Sequence, residues 1–111
     1  MQPNTYKLAV ATAEGTYYYS PEDIVRLKAS SSYTHIYLTN KKKLLISKVL
    51  KEFAIQLEPL GFVRTHRSHL VNRRYILFVN ASGNAVMKDE SVAEISRRMK
   101  PAVMKTLNYH N

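Results

Sequence analysis

The pattern of apolar and polar positions predicts a chain built mostly from short β-strands. Runs rich in β-branched and aromatic residues alternate with turn signals such as Glu14-Gly15, Ser30-Ser31-Ser32 and Ala81-Ser82-Gly83-Asn84. Glu14-Gly15 separates two such runs and predicts an opening β-hairpin, and the three serines separate the runs of a second hairpin. The segments with strand composition are 5–11, 16–19, 24–27, 33–39, 44–46, 75–79, 85–88 and 92–95.

Two segments have the spacing of an amphipathic helix. Leu50, Phe53, Ala54 and Leu57 recur on one helical face after Ser47, a candidate N-cap, and Pro59 and Gly61 end the pattern. A shorter C-terminal helix is predicted after Ser96, with Met99, Val103, Met104 and Leu107 as its apolar stripe and Pro101 in its first turn. A chain of 111 residues is long enough for one domain, 1–111, and we expect a single core.

The run Arg64-Thr65-His66-Arg67-Ser68-His69-Leu70-Val71-Asn72 does not fit one continuous buried strand. Strict alternation would leave neither face of such a strand apolar through its middle. We therefore predict a strand over 62–64, a polar bend around 66–68, and a return to the core at Leu70 and Val71. His66 and Asn72 are expected to bond backbone groups that fix the bend. Arg67, at its apex, has no internal partner in the local sequence, and its planar fork suits phosphate or guanine.

Basic residues are numerous and segregated along the chain. Seventeen Lys and Arg face eight Asp and Glu, a net charge of +9. Residues 41–43, 64–74 and 97–105 are almost free of carboxylates, which indicates an anionic partner such as nucleic acid, a charged membrane or an acidic protein. There is no cysteine, no signal peptide and no apolar run of membrane-spanning length. We expect a cytoplasmic protein without disulfides or a membrane segment.

The sequence offers little for catalysis or for a cofactor. It contains no paired carboxylates suited to acid and base roles, no glycine-rich phosphate loop and no dinucleotide fingerprint. His66 and His69 have the spacing of half a metal site, but the nearest acids and His35 lie in other segments, so no third ligand is expected nearby. We therefore predict a non-enzymatic protein with no cofactor and no metal.

One motif matches a known family. It runs Phe62-x-Arg64-x-His66-Arg67-Ser68-x-Leu70-Val71-Asn72, is followed by Ile76, and is joined near the end of the chain by Ser96-Arg97-Arg98. Together these residues resemble the LytTR DNA-binding domain, the output module of many bacterial two-component response regulators. The resemblance implies a mainly β, antiparallel fold of about ten short strands in small sheets, with one amphipathic helix in the middle and a short C-terminal helix. Three separate loops or segment ends would enter the grooves of duplex DNA.

The resemblance also assigns candidate DNA contacts. Base reading falls on Thr34 or His35 in the second hairpin, on Arg67 in the central bend, and on Arg98 after the last strand. A second set is expected to contact the DNA backbone, which positions a protein without specifying sequence. That set comprises Lys28, Ser30, Lys43, Arg64, Ser68, Arg73, Arg97 and Lys100. Two alternatives stay open: Arg73 and Arg74 only solubilise a turn, and residues 41–43 form a solvated loop.

The leading functional hypothesis is sequence-specific binding of duplex DNA as the output domain of a bacterial transcriptional response regulator. In the family, such a domain usually follows a receiver domain and binds tandem sites as a dimer. We therefore expect a receiver domain before this segment in a longer protein, and a homodimer on tandem DNA sites. The first alternative is a single-stranded or structured RNA-binding β domain with exposed tyrosines. The second is an anionic protein or membrane partner held by charge alone.

Overall fold

The protein is described here by a computed structural model, which covers residues 6–108. Within that range ten short strands and two α-helices follow the order implied by the family resemblance. The strands are β1 Leu8–Thr12, β2 Gly15–Tyr19, β3 Ile24–Ser30, β4 Tyr33–Leu38, β5 Lys43–Ile46, β6 Phe62–His66, β7 His69–Asn72, β8 Ile76–Val79, β9 Asn84–Met87 and β10 Val92–Glu94. The helices are α1 Leu50–Leu57 and α2 Lys100–Asn108. No helix of the described range has the length and hydrophobicity needed to cross a membrane.

All strand pairs are antiparallel and form three small sheets. The β1–β2 hairpin stands alone, β8 to β10 form a three-stranded sheet in the order β10-β9-β8, and the largest sheet has the order β5-β4-β3-β7-β6. Two hairpins therefore sit side by side in that largest sheet: β3–β4, joined at residues 31–32, and β6–β7, joined at Arg67 and Ser68. The predicted break in the central run is thus a hairpin turn.

The expectation of a single core is wrong, because the five-stranded sheet buries both of its faces. On one face Leu27, Ile36 and Leu70 pack with α1 and the β1–β2 hairpin. On the other face Val63 and Val71 pack with the three-stranded sheet and α2. A sheet covered on both sides needs apolar residues at odd and at even positions of its strands. The polar residues of the central run hid this pattern in the sequence.

Of the two helices, α1 begins differently from expectation and α2 begins as expected. Val49, with extended dihedral angles, is the N-cap of α1 and makes no side-chain capping bond, so Ser47 is not the cap. Ser96 does cap the turn that leads into α2, since its Oγ accepts a hydrogen bond from the Met99 amide at 3.1 Å. Pro101 is the second residue of α2, where its missing N–H has no helical acceptor to lose.

Candidate nucleic-acid interface

Three loops meet at one end of the five-stranded sheet. We call them the turn cluster: residues 31–32, 67–68 and 96–98. The Ala29 amide donates to the Ser68 carbonyl at 2.9 Å, which joins the first turn to the second. The Ser96 amide donates to the Thr65 carbonyl at 2.8 Å, which joins the third segment to the same hairpin. The predicted contact segments, remote in sequence, are therefore neighbours in the fold.

Arg67 is exposed at the tip of a turn whose backbone is held by its neighbours. Arg64 donates from Nε to the His66 carbonyl at 3.2 Å and from Nη2 to the Arg67 carbonyl at 2.6 Å. The Ser68 amide donates to His66 Nδ1 at 3.0 Å. These bonds use the side chains of Arg64 and His66, both before the bend, to hold the backbone at Arg67 and Ser68. The Arg67 guanidinium therefore projects from a fixed backbone, which lowers the backbone entropy lost when it binds.

Asn72 anchors the other end of the β6–β7 hairpin. Its buried Nδ2 donates to the carbonyls of Pro21 and Ile24 at 3.2 and 2.9 Å. Its Oδ1 accepts from the Arg74 amide at 3.1 Å and caps the 3₁₀ turn that follows. Three backbone groups, two in the distant segment 21–24 and one in the adjacent 3₁₀ turn, thus depend on one amide side chain, which gives Asn72 a structural role.

Of the two alternatives in the β3–β4 hairpin, only His35 has an accessible side chain. Thr34 is fully buried, and its hydroxyl donates to the Lys48 carbonyl at 2.7 Å, so in this fold it offers no atom to a base. His35, on the opposite face of β4, is half-buried. Partial burial and the nearby Lys43 and Lys28 cations lower the pKa of His35, which makes the neutral imidazole dominant at pH 7. Its Nδ1 is buried without a hydrogen-bond partner in the described residues, so a base contact by this ring would have to use Nε2.

Arg98 lies in the third segment of the turn cluster, between β10 and α2. Arg97 and Arg98 are exposed in the turn that Ser96 caps. A groove between β6 and α2 is lined by Arg98 and by Arg64, the residue that holds the Arg67 turn. The N-terminal end of α2 also favours nearby negative charge, because the aligned peptide dipoles of a helix give this end a partial positive charge.

The candidate backbone contacts divide into two groups. Lys28, Ser30, Ser68 and Arg97 lie in or within a few residues of the turn cluster. Lys43 does not: it pairs with Tyr37, about 13 Å along β4 from the β3–β4 turn, and its amine lies 5.5 Å from the Tyr37 ring centroid. It borders the exposed turn at 41–42, which keeps open the expectation of a solvated loop.

Arg73 and Lys100 are also directed elsewhere. Arg73 follows the far end of β7, and its Nη2 donates to the Leu107 carbonyl at 2.9 Å, where a cation stabilises the last turn of α2. Lys100 is exposed, but its amine lies 3.3 Å from the position that a Cβ on Gly83 would occupy, against the β8–β9 turn. The expectation of phosphate contact is therefore weakened for Lys43, Arg73 and Lys100 by their places in the fold.

A row of polar side chains crosses one face of the sheet beside the turn cluster. His35, Lys28, His69 and His66 are cross-strand partners in succession on β4, β3, β7 and β6. Burial, and to a smaller extent the nearby Arg26 cation, lowers the pKa of His69 to about 4. The buried Nδ1 of His69 has no hydrogen-bond partner within the described range.

The structure also shows groups that the sequence did not reveal. Arg26, which lies between Val25 and Leu27 in the sequence, is buried. Its guanidinium carbon lies 3.9 Å from the Tyr37 ring centroid, and its Nε donates to Ser91 Oγ at 2.9 Å. The expectation of no third ligand near His66 and His69 is wrong, because Glu94 on β10 lies beside both. That contact depends on how two sheets stack, and no local pattern reveals it.

Comparison with known proteins agrees with this geometry. The family model described as "LytTr DNA-binding domain" matches residues 14–108. A solved structure, the LytTr DNA-binding domain of a putative methyl-accepting/DNA response regulator from Bacillus cereus, is similar in fold with a TM-score of 0.75. It is 18% identical and is covered over 97% of its length by 94% of this chain. No curated protein sequence matches. Since the family model spans most of the chain and the fold is that of the solved domain, the chain belongs to the LytTr DNA-binding domain family.

Proposed function

We propose that this domain binds duplex DNA in a sequence-specific manner and acts as the output domain of a bacterial transcriptional regulator. The observation that carries the proposal is the turn cluster, which brings exposed Arg67 and Arg98 to the same end of the molecule as His35. Side chains from separate loops at one end of a sheet can reach successive base edges in a groove. The net charge of +9 supplies sequence-independent attraction to phosphates.

Each side chain has a distinct role in this proposal. Arg67 and Arg98 donate to base edges, guanine being the best match to the guanidinium fork, and His35 replaces Thr34 as the third base-reading residue. Lys28, Ser30, Ser68 and Arg97 contact phosphates. Arg64 is a positioning residue, because both of its hydrogen bonds hold the backbone on which Arg67 stands.

Selection of bound sites from random duplex DNA would identify the target, and Arg67→Ala would then test the reader. We expect this variant to lose about 1–3 kcal/mol of discrimination at one base position, because the substitution removes a bidentate donor. Arg74→Ala is the matched control: Arg74 is an exposed arginine in the turn after β7, at the opposite end of the hairpin. It removes the same charge and should retain the wild-type preference.

Equal weakening of all sequences by Arg67→Ala would reduce Arg67 to a phosphate contact. A selection that yields no preferred duplex sequence would contradict sequence-specific binding as a whole. Competition by unstructured RNA at the same salt concentration tests the RNA alternative. On β2, Tyr17 and Tyr19 share one face with their ring centroids 6.0 Å apart, whereas the more exposed Tyr18 points to the other face. The three rings therefore do not form one continuous stacking surface.

A further inference from the structure

His66, His69 and Glu94 form a cluster beside the turn cluster that DNA binding does not explain. His66 Nε2 and His69 Nε2 lie 3.8 and 4.0 Å from the same oxygen, Oε1 of Glu94. The two imidazole rings are 5.3 Å apart between centroids. One ligand-competent atom from each of the three residues falls within 4.8 Å of the others.

We propose that these three side chains bind a divalent transition-metal ion of the zinc class. Two imidazoles and one carboxylate are a ligand set that zinc uses with water in the fourth position. Ligand atoms around one such ion stand roughly 3.3–3.5 Å apart, given metal–ligand bonds of about 2.0–2.2 Å. The cluster must therefore contract modestly. The side chains able to move are Glu94, 66% exposed, and His66, 27% exposed.

His69 supplies the fixed part of the site. Its side chain is only 7% exposed and its buried Nδ1 has no hydrogen-bond partner within the described residues. Its Nε2 is the nitrogen that faces Glu94, so coordination would use Nε2 and leave the ring proton on Nδ1.

His66 connects the metal to the Arg67 turn. In the metal-free fold its Nδ1 accepts from the Ser68 amide, so the proton of the neutral ring is on Nε2. Coordination through Nε2 requires the proton to move to Nδ1, which breaks the bond from Ser68. The lost bond costs on the order of 1 kcal/mol, small beside the free energy of coordinating a transition metal.

Titration of the 111-residue chain with Co²⁺, followed by its visible absorption and by displacement with Zn²⁺, tests this site in the absence of DNA. We expect one ion per chain. Glu94→Gln should weaken Co²⁺ binding at least roughly tenfold, the lower bound for losing even an outer partner of a metal ligand. Glu94 is exposed and its side chain makes no other contact shown in the described structure, so this variant keeps the fold. His35→Gln is the matched control and should bind Co²⁺ as the wild type does.

The ¹⁵N resonances of His66 provide a second readout. On metal addition Nδ1 should change from a hydrogen-bond acceptor to a protonated nitrogen, and the amide resonance of Ser68 should shift with it. The proposal is overturned if the wild type binds no Co²⁺, if Glu94→Gln binds as tightly as the wild type, or if a control histidine variant abolishes binding. Binding without any change at Ser68 would also overturn it, since the ion would then not be held by His66 Nε2.

Discussion

At the scale of single residues, the alternation of side chains between the two faces of a strand decides which of them are accessible to a ligand such as DNA. Thr34 shares its face of β4 with Ile36 and Leu38, both buried, whereas His35 lies on the other face with Tyr37. That alternation is visible in the sequence, and it would have favoured His35 over Thr34. The family motif pointed to this hairpin, and within it the strand pattern favours His35 for the proposed base contact.

His69 gives a pH dependence that can be tested at this scale. The pKa of His69 is about 4 in the fold and near 6.5 when the chain is unfolded, so between these pH values the unfolded chain takes up a proton that the folded chain does not. The lowered pKa therefore has no effect on the free energy of unfolding above about pH 6.5, and it reduces that free energy as the pH falls from 6.5 toward 4. We expect the free energy of unfolding to drop between pH 7 and pH 5 by on the order of 1–2 kcal/mol from this residue.

His69→Phe is the variant that isolates this effect. Phenylalanine fills a similar volume and removes a ring nitrogen that has no partner, so the fold should tolerate it at pH 7. Urea denaturation at both pH values measures the free energy of unfolding. The same pH dependence in His69→Phe and in the wild type would assign the effect to other groups.

At the scale of elements, side-chain bonds to backbone carbonyls fix how strands meet the loops around them. The hydroxyl of Thr34 ties β4 to the Lys48 carbonyl, just before α1 begins at Leu50. Asn72 ties β7 to the segment that enters β3. The strands and both helices were predictable from local patterns, but these tertiary bonds were not, because each joins residues far apart in sequence.

Thr34→Val should therefore affect stability and leave DNA preference unchanged. Valine has nearly the same shape but leaves the Lys48 carbonyl without its donor, a loss of about 1–3 kcal/mol. Chemical denaturation measures the loss, and binding to selected sites measures the preference. His35→Gln is the opposite control, for which we expect altered base preference. Altered base preference in Thr34→Val would restore Thr34 as a base-reading residue.

At the scale of the whole molecule, the fold places the basic side chains in different environments, some exposed and some engaged within the protein. Arg67, Arg97 and Arg98 are exposed in the turn cluster, whereas Arg26 is buried and Arg73 holds the end of α2. The sequence showed that basic residues were segregated along the chain. It could not show which of them share an end of the molecule, because that depends on the pairing of β3 with β7 and on the stacking of β10 on β6.

This placement predicts different salt dependences for two arginine variants. Arg97→Ala should reduce the slope of log binding constant against log salt by about 1, with no change in preferred sequence. Arg73→Ala should leave the slope unchanged and instead lower stability, because Nη2 of Arg73 bonds the end of α2. Titrations of a duplex site at several salt concentrations measure both slopes. Equal slopes for Arg97→Ala and the wild type would remove Arg97 from the phosphate contacts.

The hydrogen bond from the Ala29 amide to the Ser68 carbonyl has a consequence for how a binding site should be described. It ties the end of β3, just before the β3–β4 turn, to the β6–β7 turn. Under the proposed function, the protein therefore sets the spacing between the base pairs that these two turns contact. Inserting one base pair between those positions rotates one of them by about 35° and should abolish recognition, however good each half is alone. We therefore expect the consensus for this domain to have an invariant spacing between the positions that the two turns contact.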